Sequence, residues 1–194
     1  MTKMLLAGAA CALLLAACNE QANEGVDVGD KAQDMAAAPV GQVSAATMGS
    51  NLVSAFVPNA AMSDMYEIQA ADIALAKSQN AQVKELATMI KADHTASSEK
   101  MKSLVPTAAP GVALPTELDQ RRKGLIDNLN SATPAQFDMV YVDQQIAAHQ
   151  EALTLLRGFA DNTEAPQLAE HARMTIPKIE AHLQKAQQIK ASMG

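Results

Sequence analysis

The chain has 194 residues, with 15 Lys and Arg against 21 Asp and Glu, and a formal charge of −6. An acidic chain without clustered cations is a poor match for a phosphate backbone, which excludes nucleic acid as its main partner. Tryptophan is absent, aromatic residues make up 3% of the chain and alanine recurs throughout. This composition favours helices and excludes a β-sandwich or barrel.

Met1-Thr2-Lys3 supplies one positive charge, and the fourteen residues from Met4 to Ala17 are apolar or glycine. A membrane-spanning helix needs about 20 such residues. The run instead fits a signal peptide over residues 1–17. It ends in Leu15-Ala16-Ala17-Cys18, which resembles the bacterial lipobox, whose cysteine becomes the lipidated first residue. Lipidation of Cys18 is therefore expected. Acyl chains contribute about 0.8 kcal/mol per buried CH₂, which makes a membrane the partner of this residue. Asn19 stands where inner-membrane retention signals carry Asp, so the expected address is the outer membrane, facing the periplasm. Cys11, the other cysteine, would leave with the signal peptide, so no disulfide braces the fold. Residues 18–53 are small and polar without a persistent period. They read as the lipidated cysteine and a flexible tether with a reach of about 30 Å.

Residues 54–194 read as one helical domain. A first helix is predicted from Pro58 to about Ser78, its inward stripe formed by Ala60, Ala61, Glu67, Ile68, Ala71, Ala74 and Leu75. A corner at Gln79-Asn80 leads into a second helix over 81–105. There Val83, Ala87, Ile90, His94, Ser97, Met101 and Leu104 step by three and four, as a bundle seam does. Pro106 and Pro110-Gly111 end it. A short helix follows from Leu114-Pro115-Thr116 to Asn130, and its Arg121-Arg122-Lys123 run reads as a solvated face. Thr133-Pro134 reads as an N-cap with proline at the first helical position. It opens a helix to Phe159 that carries Val142, Ile146, His149, Leu153 and Leu156. The last helix, from Pro166 to about Ser192, carries Leu168, Ala172, Thr175, Ile179, His182, Ala186 and Ile189. Pro177 inside it frees the carbonyl of Arg173 and bends the helix. Matched long helices predict an all-α, up-and-down four-helix bundle with one short connecting helix.

Three seams each contain one histidine: His94, His149 and His182. Glu67 occupies the inward side of the first helix. Counting from the corners puts Glu67 and His94 within about one turn of each other. His149 lies twelve residues before Asp161 and His182 eighteen after Glu164, an offset of about two turns that separates them. Polar groups at seam positions must be hydrogen-bonded, paired or bound to metal. Three readings stay open: a metal site on Glu67, His94, His149 and His182, a buried hydrogen-bond network, or a cavity with a ligand. In each, Asp93, Asp138, Tyr141 and Gln145 would support the cluster through hydrogen bonds.

Glu67-Ile68, Met89 with Asp93-His94, Leu114-Pro115, Phe137-Asp138, Tyr141, Gln145, His149, Ile176-Pro177, Ile179, His182 and Leu183 together form a spaced pattern. Over residues 54–190 the chain resembles the ferritin-like domain of unknown function 4142. The resemblance implies a ferritin-like bundle exported to the bacterial envelope, described as an outer-membrane protein, and brings no reaction with it. A ferritin-type di-iron centre needs two Glu-x-x-His motifs, and the chain contains none, so di-iron is not expected. Imidazoles with a carboxylate suit Zn²⁺, Cu²⁺ or Ni²⁺. No residue is singled out as catalytic. The sequence thus points to a non-enzymatic, lipid-anchored envelope protein with a ferritin-like helical bundle, a metal in its core being one of the three readings left open. A metal-dependent envelope enzyme or metal-storage protein is one alternative, and a protein-interaction module another.

Overall fold

The computed structural model describes residues 50–193. The signal peptide read over 1–17, Cys18 and the tether up to residue 49 lie outside the described residues. Five helices follow: α1 Val53–Lys77, α2 Ala81–Ala108, α3 Gln120–Ser131, α4 Pro134–Phe159 and α5 Pro166–Met193. The all-α bundle is the one the spacing predicts. No helix among the described residues is long and apolar enough to cross a membrane.

Local chemistry sets the helix ends. Asn80 Oδ1 accepts from the backbone N–H of Gln82 at 2.9 Å and so caps α2. Asp119 does the same for α3 through Arg122 N–H at 2.8 Å. Thr133 holds the N-cap position of α4 with Pro134 behind it, but its hydroxyl makes no cap. It donates instead to Gln136 Oε1 at 2.9 Å. Packing moves two predicted ends. α1 starts at Val53 rather than Pro58, because Phe56 and Val57 are fully buried and Phe56 stacks on Phe159 with ring centroids 3.8 Å apart. Pro58 forfeits only its own bond to the Ser54 carbonyl. α2 continues past Pro106 to Ala108, and the reversal comes at Gly111, whose φ of 88° suits glycine alone.

The connectivity has a feature that spacing does not reveal. Lys77 Nζ, at the end of α1, donates to the carbonyls of Leu129, Asn130 and Ala132 at 2.8, 2.7 and 3.2 Å. The end of α3 therefore lies beside the end of α1. At the other end of the bundle, Asn162 Nδ2 donates to Asn51 O at 2.7 Å, which places the α4–α5 corner beside the start of α1. Ser50 lies so close to Gly158 that a Cβ there would stand 2.2 Å from its hydroxyl oxygen. The stretch from Ala109 to Ser131 thus runs back along the bundle as a crossover. α1 packs on α2 and α4, and α5 packs on α4 and α2, each pair antiparallel. The up-and-down order expected from the matched helices is thus corrected to up, down, down, up, because the chain crosses the bundle between α2 and α4; one long crossover is the arrangement of ferritin-like folds.

Of the basic run on α3, Lys123 is exposed as a solvated face requires, but Arg121 and Arg122 are not. Arg121 donates to both carboxylate oxygens of Glu151 on α4, at 2.8 and 2.9 Å. Arg122 is buried at 7% exposure and pairs with the capping carboxylate of Asp119. The two arginines clamp the crossover onto the bundle. A residue-by-residue reading misses this because their acidic partner Glu151 lies on another helix.

The stacked pair at the Asn51 end supplies a direct test. Phe159→Ala removes a fully buried ring and leaves Phe56 without its partner, which should cost about 3–5 kcal/mol. Urea unfolding followed by circular dichroism measures this; a loss below about 1 kcal/mol would show that this end of the bundle does not depend on the stack.

Candidate metal centre

Two apolar clusters fill the bundle. One contains Phe56, Met101, Leu156, Phe159, Leu168 and Ile179; the other contains Ala71, Leu86, Ile90, Tyr141, Val142 and Ile189. Between them, midway along each long helix, lie Asp64 and Glu67 of α1, His94 of α2, Gln145 and His149 of α4, and His182 of α5. None of the six is more than 5% exposed. The core is therefore divided by a polar layer.

The three imidazoles meet in that layer. Ring centroids are 5.7 Å apart for His94 and His149, 5.7 Å for His94 and His182, and 5.3 Å for His149 and His182. The two-turn offset counted for His149 and His182 does not keep them apart. Helical side chains lean toward the N-terminus of their own helix. In this antiparallel pair His149 leans away from the α4–α5 corner and His182 leans toward it, so the tilts close the gap. The same tilt brings Glu67 and His94 together across α1 and α2.

Hydrogen bonds fix which nitrogen of each ring carries the proton. His94 Nδ1 lies 2.8 Å from Asp64 Oδ1, a carboxylate that can only accept. His149 Nδ1 donates to the Gln145 carbonyl at 2.8 Å. His182 Nε2 donates to Asp93 Oδ2 at 3.0 Å, and Lys178 Nζ holds the other oxygen of Asp93 at 2.7 Å. The lone pairs left over belong to His94 Nε2, His149 Nε2 and His182 Nδ1. His94 Nε2 is buried without a partner, and the other two nitrogens face each other at 3.2 Å. Two imidazole acceptors in that position repel unless a proton or a cation lies between them. One ligand atom from each of the three histidines lies within 4.8 Å of the others, and an imidazole backed by a carboxylate or carbonyl is the usual form of a metal-binding histidine.

Electrostatics divides the titrating groups. Burial opposes charge on His94, yet the hydrogen bond and charge of Asp64, with Glu67 and Asp93 nearby, raise it above its ordinary 6.5. Burial and the charges of His94 and His182 hold His149 well below that value. Burial, reinforced by His94 and partly offset by Asp93, lowers His182 to about 4. Burial lifts the Glu67 carboxyl from 4.5 to about 7 against the pull of His94.

Of the residues expected at the site, Glu67, His94, His149 and His182 are brought into one layer. Glu67 Oε1 approaches His149 at 3.7 Å, but on Nδ1, the protonated side, so it stands behind the ring rather than among the converging lone pairs. Asp93 supports His182, whereas Gln145 reaches His149 only through its backbone carbonyl, and its side-chain amide is buried without a partner. Asp138 and Tyr141 make no hydrogen bond to the histidines; Asp138 Oδ1 and Tyr141 OH are both buried without a partner. Asp64 is the residue the sequence reading missed. It lies three positions after Ala61 and three before Glu67 on the same inward stripe, and that spacing was the signal available. His171 lies outside the layer, its Nε2 3.2 Å from Ser97 Oγ.

A family model described as a domain of unknown function, DUF4142, matches residues 38–189. No curated protein and no solved structure matched the chain.

Burial of Glu67 makes a signed prediction for chelator-treated protein. The folded chain holds a proton on Glu67 up to about pH 7, whereas the unfolded chain releases it near 4.5. This group therefore adds stability below that window and loses it as pH rises through about 7. His149 and His182 act in the opposite sense, because the unfolded chain takes up their protons first. Glu67→Gln removes the first contribution and part of the pull that raises His94, both of which favour the folded chain as pH falls, so stability should fall more steeply in the variant between about pH 7 and pH 5. Urea titrations at both pH values test this, and parallel slopes in variant and wild type would overturn it.

Proposed function

The chain belongs to the DUF4142 family of domains of unknown function, and from that footing we propose that it is a bacterial envelope protein, anchored through Cys18, whose bundle binds one divalent cation on His94, His149 and His182. The observation that carries the metal reading is the commitment of one nitrogen on each ring to an acceptor, which leaves three lone pairs converging inside a buried layer. A cation turns the contact between His149 Nε2 and His182 Nδ1 from repulsive to favourable and gives His94 Nε2 a partner. Zn²⁺, Cu²⁺ and Ni²⁺ are the ions such a donor set suits. Asp64, Asp93 and Glu67 supply negative charge close by, which offsets the cost of placing a dication away from water. The anchor rests on the apolar run of fourteen residues ending in Leu15-Ala16-Ala17-Cys18, and the outer-membrane address on Asn19.

Calorimetric Zn²⁺ titration of chelator-treated protein should show one ion per chain. His149→Ala should abolish that binding, and Asp64→Asn should weaken it about 10- to 100-fold by disorienting His94. Near pH 6 each ion should displace about one to two protons, from His94 Nε2 and from Glu67, read from the heat in buffers of different ionisation enthalpy. Equal Zn²⁺ binding by wild type and His149→Ala would reject the site.

The anchor has its own test. Wild-type protein should partition with membranes and carry the mass of acyl chains at its processed N-terminus, whereas Cys18→Ser should yield an unprocessed or soluble form. The same partition and the same N-terminal mass in both would reject lipidation.

A further inference from the structure

A groove of about 630 Å³ opens between α2 and α5 on the Asn51 side of the polar layer, within the roughly 300–1,000 Å³ typical of small-molecule sites. It starts beside the layer at His94 and Ile179, passes Ser97, Lys100 and His171, and ends at Leu104. His94 and Leu104 are ten residues apart on α2, so the groove runs for about 15 Å. Behind it lies a void of about 20 Å³, bounded by Phe56 and Leu156 on the core side and by Asp64, His94, Ser97 and His171. The hydrogen bond of 3.2 Å between Ser97 Oγ and His171 Nε2 ties α2 to α5 where the two spaces adjoin.

The lining of the void carries unsatisfied polar atoms. Asp64 and His94 both border it, and Asp64 Oδ2 and His94 Nε2 are buried without a partner. A space of this size has room for one water, which such atoms would hold. His94 also supplies one of the three nitrogens that converge for a cation. The carboxylates of the layer are not placed to complete that set. Asp64 Oδ1 and Glu67 Oε1 stand against the Nδ1 atoms of His94 and His149, on the protonated sides of the rings. Closed structural sites take all four ligands from the chain, whereas three protein ligands leave a fourth position to water or substrate.

We propose that an ion on His94, His149 and His182 keeps its fourth coordination position open toward this void, filled by water at rest and by a small anion that enters along the groove past Ser97 and His171. The anion donates a lone pair to the ion, and the water that held the position leaves by the same route. The acidic groups of the groove do not oppose its entry, because Asp93 is paired with Lys178 and Glu170 with Arg173, while Lys100 lies along the way. The void admits only the coordinating end of a ligand, so any larger part lies in the groove. The open position rests on the metal reading and extends it to what the ion receives.

Co²⁺ is the metal probe and azide the anion, added to chelator-treated protein loaded with one Co²⁺ per chain. The visible bands of the bound ion should shift with azide and saturate at one anion per ion. Ser97→Leu, which extends into the void, should weaken azide about tenfold or more, the scale of one misplaced methylene in a pocket. Ala96→Trp, at the exposed rim of the groove, should slow the shift in stopped-flow mixing and leave its end point unchanged. It carries the test of the route if Ser97→Leu lowers the melting temperature. Both variants should bind Co²⁺ as the wild type does. Failure of the wild type to bind Co²⁺ would reject the metal reading and the open position with it. Bound Co²⁺ whose bands azide leaves unmoved would overturn the open position alone. Equal rate and affinity for azide in wild type and every folded variant would overturn the groove as the route.

Discussion

A layer of ionisable groups halfway along the bundle is the constraint to which everything else answers. Six polar side chains sit where water does not reach, and buried polar atoms are costly unless each finds a partner. The layer therefore fixes the register of all four long helices. Sliding any one by a turn would carry its histidine or carboxylate into Phe56 and Leu156 on one side, or Ile90 and Val142 on the other. Apolar stripes of alanine and leucine tolerate such slips, because their residues are nearly interchangeable. The polar layer does not, and it gives an alanine-rich bundle a single alignment.

The layer also has an internal charge logic. His94 is held toward its charged form by Asp64, and His182 toward its neutral form by burial and by His94 itself. Glu67 lies between these pulls at about 7. A proton taken up by the cluster is thus directed to one position, His94 Nε2, while the other two rings are held neutral. Lys178 and Asp93 extend this chain from His182 to solvent, so the surface charge of α5 is felt inside the core.

Much of this was legible in the sequence. Four long helices, their corners and the presence of one histidine in each of three seams follow from spacing by three and four, since a helix exposes a fixed face. What did not follow is three-dimensional in origin. Spacing does not single out Asp64, whose role depends on His94 lying opposite it on another helix. The offset between His149 and His182 came from counting Cα levels, which ignores side-chain tilt. Arg121 and Arg122 read as surface charges because Glu151 lies 30 positions from Arg121 in the chain. The crossover was hidden for the same reason: proline and glycine mark where a helix stops, not the direction in which the chain then travels.

The packing of Ser50 on Gly158 and of Asn51 on Asn162 has a mechanical meaning. Any pull on the chain ahead of residue 50 reaches the bundle at the corner between α4 and α5, and is shared between α1 and that corner instead of falling on α1 alone. The stacked rings of Phe56 and Phe159 lie just inside this point, where peeling would have to begin. Glycine at 158 is what lets the strand of chain lie flush there. A side chain at that position would lift it off and turn a load spread in shear into one that unzips the first helix from its end.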